Sequence, residues 1–344
     1  MASALLMSYL AVHINPGVFT LPAFFGLAYP YLLLLNIIIV IIWAMLLRFE
    51  ALISVIVILL GFNHLSDFIN LTKPAADKES TFRVMSYNVR LFNLYETGSE
   101  ANSEKKVVEF IKSRNPEIIC LQEFFVAGDP SLKEKSIKSS LGGKYHSHIK
   151  LISRRKNRYF GIATFSRFPI VGKGEIIHPG SSSLTIYSDI LIEGDTFRVY
   201  NNHLQSFRLK KMERSLIEEM TAIENETIGE VKSLSSTLRN GFISRSTQAQ
   251  VVKEHINRSA YPVIVTGDFN DTPVSYSYRK IRKGLKDAFV NSGYGAGFTY
   301  KGNYPPNRID YILYDNALLN NYFEIIKVNY SDHYPIVAWF VKNN

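Results

Sequence analysis

Asp268 and Asn270 stand two residues apart in the run Val263-Ile264-Val265-Thr266-Gly267-Asp268-Phe269-Asn270-Asp271-Thr272-Pro273. Two Val around an Ile predict a buried strand, and the Gly-Asp-Phe-Asn-Asp-Thr-Pro that follows predicts its turn. If the extended geometry persists one step further, the carboxylate and the amide leave from one face while Phe269 turns into the core. An isolated Asp-x-Asn reads more simply as an Asx-turn bonded to its own backbone. This one has company at other strand ends: Asn88 in Ser86-Tyr87-Asn88-Val89-Arg90, Glu123 in Leu121-Gln122-Glu123, His203 in Asn202-His203-Leu204, Asp310 in Arg308-Ile309-Asp310-Tyr311-Ile312, and Asp332-His333 ahead of the strand Pro335–Phe340. Acids, amides and histidines in this combination suit one metal-assisted hydrolytic centre.

In this order the motifs resemble the endonuclease/exonuclease/phosphatase superfamily, which includes pancreatic deoxyribonuclease, abasic-site endonucleases, inositol polyphosphate phosphatases and neutral sphingomyelinases. The likeness runs from about Thr81 to Phe340, and its most specific parts are Gly-Asp-Phe-Asn and Ser-Asp-His. It implies an α/β fold, a two-layer β-sandwich flanked by helices in the four-layer deoxyribonuclease I-like manner. It also implies roles. Glu123 is the clearest ligand for Mg²⁺, or Mn²⁺, with Asn88 and Asp332 completing or supporting the shell; hard divalent cations take one or two carboxylates and fill other positions with water and phosphate. Asp268 and Asn270 would orient the attacking water and hold a phosphoryl oxygen. His333 with Asp310 would form an acid–base pair, leaving open whether Asp268 or His333 takes the proton of water. His203 resembles the second histidine of the deoxyribonuclease and sphingomyelinase branches. Arg90 and Arg167 are candidates for phosphate contact, with a structural ion pair as the alternative. Abasic-site endonucleases carry a tyrosine where His203 stands and open on Asn-x-Asn/Asp rather than Asn88-Val89-Arg90, so both departures point away from DNA repair.

The elements that must position these residues are mixed. Strands are expected at 82–89, 117–122, 145–151, 161–165, 184–192 and 197–202, with a hairpin turn at Gly194-Asp195 and helices at 103–114 and within 274–284. Residues 207–256 form a long helical insertion, with Leu209, Met212, Leu216, Met220 and Ile223 on one face. Cys120, the single cysteine, excludes an internal disulfide and reads as a small core side chain.

Ahead of this domain, residues 21–71 carry only Arg48, Glu50 and Asp67 as charges. Residues 23–47 read as one transmembrane helix and 51–71 as a second, joined through Arg48-Phe49-Glu50, with a shorter apolar stretch at 2–12. The expected organisation is a membrane anchor over 1–71, a polar linker over 72–80 and a catalytic domain over 81–344. If Arg48 marks a cytoplasmic turn, the catalytic domain faces the extracytoplasmic side of a bacterial inner membrane.

The whole chain holds 39 basic and 30 acidic residues for a formal charge of +9. Three of the basic residues and four of the acidic ones precede residue 80, which leaves the hydrolase part at about +10. Such a surface suits a phosphate-rich partner. The expected activity is therefore Mg²⁺-dependent hydrolysis of a phosphate ester at a lipid bilayer, most readily a lipid headgroup phosphodiester, with no obligate protein partner. A membrane-anchored endonuclease acting on nucleic acid is the alternative, and a non-catalytic scaffold is a third reading that the full motif set disfavours.

Overall fold

The computed structural model describes residues 1–72, 82–96, 103–155, 157–181, 183–207, 228–302 and 307–343. The expected linker and the apolar face Leu209–Ile223 lie, but for Thr72, outside them. The chain divides into two compact units. One is built from Met1–Ile69, Gln205–Lys253 and Asn270–Lys283, the other from Asn70–Leu204, Glu254–Phe269 and Gly284–Asn344.

The second unit holds two six-stranded sheets. Numbering its strands in chain order, the first sheet contains β1 (Phe82–Asn88), β2 (Ile118–Ala127), β3 (His146–Arg155), β4 (Arg158–Ser166), β11 (Leu318–Ile325) and β12 (Ile336–Lys342), in the order β11-β12-β1-β2-β4-β3. The other contains β5 (Ile170–Ile176), β6 (Leu184–Ile192), β7 (Asp195–His203), β8 (Val263–Asp268), β9 (Lys286–Asp287) and β10 (Asp310–Tyr314), in the order β9-β10-β8-β7-β6-β5. Alternation along β1 explains the layering. Phe82 and Val84 join Ile190, Val199, Ile264 and Ile312 in the apolar layer between the sheets, while Met85 and Tyr87 join Val107, Ile111 and Ile137 of two covering helices, Glu104–Arg114 and Pro130–Ser140.

One detail of topology positions the site. Each sheet has a single parallel pair at its centre, β1 with β2 and β7 with β8, and every other named pairing is antiparallel. Parallel neighbours end on the same side, so Asn88, His203 and Asp268 leave the C-terminal ends of central strands, while Glu123 lies within β2, which continues to Ala127. Antiparallel β10 and β12 then contribute from their starts: Asp310 opens β10 opposite Asp268, and Asp332-His333 precede β12, whose Ile336 pairs with Ser86.

The first unit packs the N-terminal helices Ala2–Leu10, Leu21–Leu27, Tyr29–Met45 and Ala51–Leu60 around Leu5, Val12, Tyr29, Leu33, Val57 and Phe68, with Val274 in the same cluster. The span expected at 23–47 is not one helix. It breaks at Ala28, ahead of Pro30, whose ring bars an uninterrupted helix, and its two parts meet at 70°. The span expected at 51–71 stops at Leu60; Gly61 interrupts it where a Cβ would meet the Tyr9 hydroxyl at 2.1 Å. Among the described residues no single helix is long and apolar enough to cross a membrane, although the bent pair meets the length and composition required.

Two further details differ from expectation, and part of the insertion is helical as expected. Between β2 and β3 lies a helix beyond those expected, Pro130–Ser140, capped by Asp129 through Ser131 N–H. The β6–β7 hairpin turns on Glu193-Gly194 rather than Gly194-Asp195: Ile192 pairs with Asp195, and both turn residues have positive φ, 48° and 91°. Of the 207–256 insertion, Ile228–Asn257 is one 30-residue helix.

Candidate active site

Asp268 closes β8 almost fully buried. Its backbone is tied on both sides, by Leu204 N–H to its carbonyl and by Phe269 N–H to the Ile309 carbonyl. Gly267 makes the close approach to β7 feasible, since at φ 126° a Cβ there would strike the Asn202 carbonyl oxygen at 2.0 Å. Three partners reach Asp268 Oδ2: Asn88 Nδ2 donates to it at 2.9 Å, His333 Nε2 lies at 3.8 Å and His203 Nε2 at 3.9 Å. Behind His333, Nδ1 meets Asp310 Oδ2 at 2.9 Å. His333 therefore spans two carboxylates with its two ring nitrogens. Burial alone would lower its pKa, but Asp310 and then Asp268 outweigh it and push the value up to about 10. The Asp268 pKa is raised too, to about 6, through burial and the facing Asp310, against the pull of His333, His203 and Asn88.

Glu123 reaches the same centre through a β-bulge. The β2–β4 register shifts between Leu121 and Phe124, and Glu123 adopts φ 51°. A bulge places two residues opposite one and re-aims a side chain. Its carboxylate lies 3.4 Å from Asn88 Nδ2 and 3.7 Å from His203 Nε2, with 32% of the side chain exposed. Its pKa is raised, chiefly by desolvation and then by Asp332. Asn88 thus braces two carboxylates with its amide nitrogen while its oxygen accepts from Arg90 N–H at 3.0 Å.

After Asn88 the chain makes a left-handed turn of four non-glycine residues, Arg90 to Asn93, with φ between 45° and 57°. Such a conformation costs about 1 to 2 kcal/mol per residue, and local packing must offset it. Phe92 is buried edge-on to Phe124 at 5.7 Å, and Asn93 Nδ2 donates to the Tyr330 carbonyl at 3.2 Å. The turn sets Arg90 between Glu96 at 2.8 Å and Asp332 at 3.3 Å.

The seven residues Asn88, Glu123, His203, Asp268, Asp310, Asp332 and His333 converge on one end of the sandwich. Asn270 opens the segment assigned to the first unit, with φ 53°. The extended geometry expected to carry it alongside Asp268 ends at Asp268 itself. Arg167 is a correction: it bonds Tyr145 Oη at 3.1 Å, lies 3.9 Å from Glu117 and donates its backbone N–H to the Glu117 carbonyl. Glu117 precedes β2 and Glu123 lies six residues on, about 20 Å at strand rise. Arg167 is an ion-pair residue at the far end of the sheet. Two supports are absent from the sequence reading. Ser331 donates to the Asn88 carbonyl at 2.8 Å and accepts from His333 N–H at 3.2 Å. Thr299 Oγ1 accepts from Ile309 and Asp310 N–H, both at 3.1 Å. Ser331 stands directly beside Asp332-His333 and was open to inference; Thr299 carries no local signal.

The donors also bear on a divalent cation. The tightest cluster of ligand-type atoms is Asp268, Asp310 and His333, mutually within 4.8 Å. In that cluster the His333 Nδ1 is already engaged by Asp310 and the ring favours its protonated form, so the three side chains read as an imidazolium held between two carboxylates. Glu123 and Asp332 fit a hard cation better: both are oxygen donors, and a cation would offset the burial of Glu123 and the repulsion from Asp332 that together raise its pKa.

A two-sheet α/β sandwich with this residue set at one end is a phosphoesterase fold. Residues 85–333 match the model of the Endonuclease/Exonuclease/phosphatase family, and the chain belongs to that family. Residues 1–68 match a domain of unknown function, DUF8431. The fold is shared with an endonuclease/exonuclease/phosphatase from Beutenbergia cavernae (18% identity, TM-score 0.55, covering 76% of this chain and 71% of that one). It is shared too with a mannosyl-6-phosphatase from Bacteroides thetaiotaomicron (20%, 0.51, 76% and 99%) and with the catalytic domain of human Nocturnin, solved with a bound sulfate (21%, 0.51, 76% and 93%). No curated protein matches the chain significantly.

Proposed function

We propose that this protein is a membrane-associated, Mg²⁺-dependent phosphodiesterase acting on lipid headgroups. The observation that carries the hydrolase reading is the line Asp310–His333–Asp268, with Glu123 and His203 beside it. Glu123, with Asp332 near and Asn88 as brace, would hold the cation, which when bound supplies Lewis-acid neutralisation of phosphate charge. Because His333 keeps its proton through neutral pH, Asp268 is the better acceptor for the proton of the attacking water, and its raised pKa suits that role. His333 would steady the phosphate as a cation. His203 would bind a phosphoryl oxygen or protonate the leaving group, and Arg90 would meet phosphate. The role of Asn270, holding a phosphoryl oxygen, rests on its place two residues after Asp268.

Membrane association is supported by the first unit. Its helical hairpin leaves Met45, Leu47, Phe49, Leu52, Ile56 and Leu60 exposed, Leu47 by 93%. Apolar surface on this scale marks a lipid or protein contact. The bend at Ala28 and the stop at Leu60 favour a short hairpin with one helix lying at the interface over two straight spans. The extracytoplasmic orientation rests on Arg48 at the hairpin turn.

Purified full-length protein with Mg²⁺ should release phosphorylated headgroups from mixed micelles, and chelator should stop it. Rapid degradation of plasmid DNA with phospholipid left intact would replace the lipid reading with the nuclease one.

A further inference from the structure

We propose that Arg245 is a positioning residue that fixes, through one buried guanidinium, the two loops that leave the strand ends bearing His203 and Asp268. The inference rests on the hydrolase reading, and it gives the 207–256 insertion a role beyond packing.

The 30-residue helix Ile228–Asn257 carries Arg245 and Gln248 three positions apart, and therefore on one face. Arg245 is fully buried, at 0% exposure. Its Nη1 donates to the Gln205 carbonyl at 2.9 Å, and Gln205 N–H donates to Gln248 Oε1 at 2.9 Å. Both backbone groups of the residue two beyond His203 are thus held by this helix. The same guanidinium places Nε 3.1 Å from Asp271 Oδ2, and Asp271 directly follows Asn270. Phe207 lies under the guanidinium at 4.2 Å and Phe242 at 5.4 Å, which fixes its plane. Gly241 leaves room for that stack, because a Cβ there would meet Phe207 at 2.6 Å.

The segment begun by Asn270 is anchored again further along. Val274 lies in the apolar cluster of the N-terminal helices, and a Cβ on Gly26 would strike the Val274 carbonyl at 2.3 Å. Arg282, at the end of the helix Tyr276–Arg282, is paired with buried Asp67. A buried Arg with one carboxylate partner is a weak source of net stability. Its planar guanidinium, facing the Gln205 carbonyl through one nitrogen and Asp271 through another, is instead a source of alignment that the single ammonium of lysine does not reproduce. The DUF8431-like N-terminal region and the insertion helix together form the frame on which the Asn270 loop is set.

Hydrogen exchange and steady-state kinetics on full-length protein in detergent test this, using Arg245→Lys and, independently, Asp271→Asn. Both should speed exchange at Gln205–Ser206 and Asn270–Thr272 and leave Val263–Val265 unchanged. Each should lower kcat by about 10²-fold, the scale of a small misplacement, with KM within about threefold. In an Asn270→Ala background the loss from Asp271→Asn should largely vanish, as expected for residues acting through one another. Folded variants with wild-type kcat and exchange would overturn the proposal. So would faster exchange throughout β8, or failure of both variants to fold, since either makes Arg245 a stability residue only. If the wild type hydrolyses no phosphate ester, the hydrolase reading falls, while the exchange pattern still decides whether the clamp exists.

Discussion

Replacing Asp310 by Asn isolates the charge that holds the proton on His333. The two residues are 6% and 2% exposed and their bond is 2.9 Å, so solvent screens it little. A rise from 6.5 to about 10 corresponds to about 5 kcal/mol of preference for the imidazolium at about 1.4 kcal/mol per tenfold change in proton affinity. Asp310, in direct hydrogen bond, takes the largest part, with Asp268 at 3.8 Å and then Asp332 behind it. Removing one charge of such a buried pair costs about 3 kcal/mol. The sign follows from linkage: His333 binds its proton more tightly in the folded state, so the pair's contribution is complete below about 6.5 and is lost as pH rises through about 10. Urea unfolding of chelator-treated wild type and Asp310→Asn should therefore show a gap of about 3 kcal/mol at pH 6 that narrows toward pH 10. The His333 ring, followed by NMR, should titrate well below its wild-type value in the variant, and kcat should fall by about 10² to 10⁴-fold. Parallel stability curves from pH 6 to 10, or a wild-type His333 that titrates near 6.5, would refute the argument.

Arg167→Met should leave kcat and KM unchanged and cost no more than about 1 kcal/mol of stability, because its ion pair is partly exposed and remote from the site; a kinetic loss would return it to the list of phosphate contacts. His148, desolvated beside Ser188 and repelled by Lys173, should titrate at about 4 in an NMR pH series, so its neutral ring favours the fold above about 6.5 and that advantage disappears as pH falls through about 4. A titration near 6.5 would contradict its placement. Leu47→Asp with Phe49→Asp should reduce co-sedimentation with phospholipid vesicles by tenfold or more, given about 2.5 to 3.5 kcal/mol for an Asp placed in a membrane; unchanged binding would remove the hairpin from the lipid contact.

The strands were legible because their apolar runs end on polar residues, and topology then does the gathering: central parallel pairs bring Asn88, His203 and Asp268 to one end. Backbone detail was not legible. Glu123 reaches the site through a bulge with positive φ, and Arg90–Asn93 run left-handed, and neither conformation has a glycine to announce it. Asn270 leaves the extended path for the same kind of reason. Arg167 misled because its position in sequence, just past a strand, does not say which end of the sheet it occupies; register with Ile118 does. The apolar N-terminal run gave its composition but not its breaks, although Pro30 and Gly61 were visible as signals. Arg245 lay inside a segment rich in charges, where nothing in the spacing marks one guanidinium as buried.

The central claim is that a cation held at Glu123 serves a phosphate-ester centre formed with Asp268 and His333. Calorimetric titration of Mn²⁺ into wild type and Glu123→Ala, with turnover measured on the same samples, tests it most directly. The account expects saturable binding and chelator-sensitive hydrolysis in the wild type, both lost in Glu123→Ala, with metal-free thermal unfolding little changed. Undiminished binding and turnover in Glu123→Ala would contradict it.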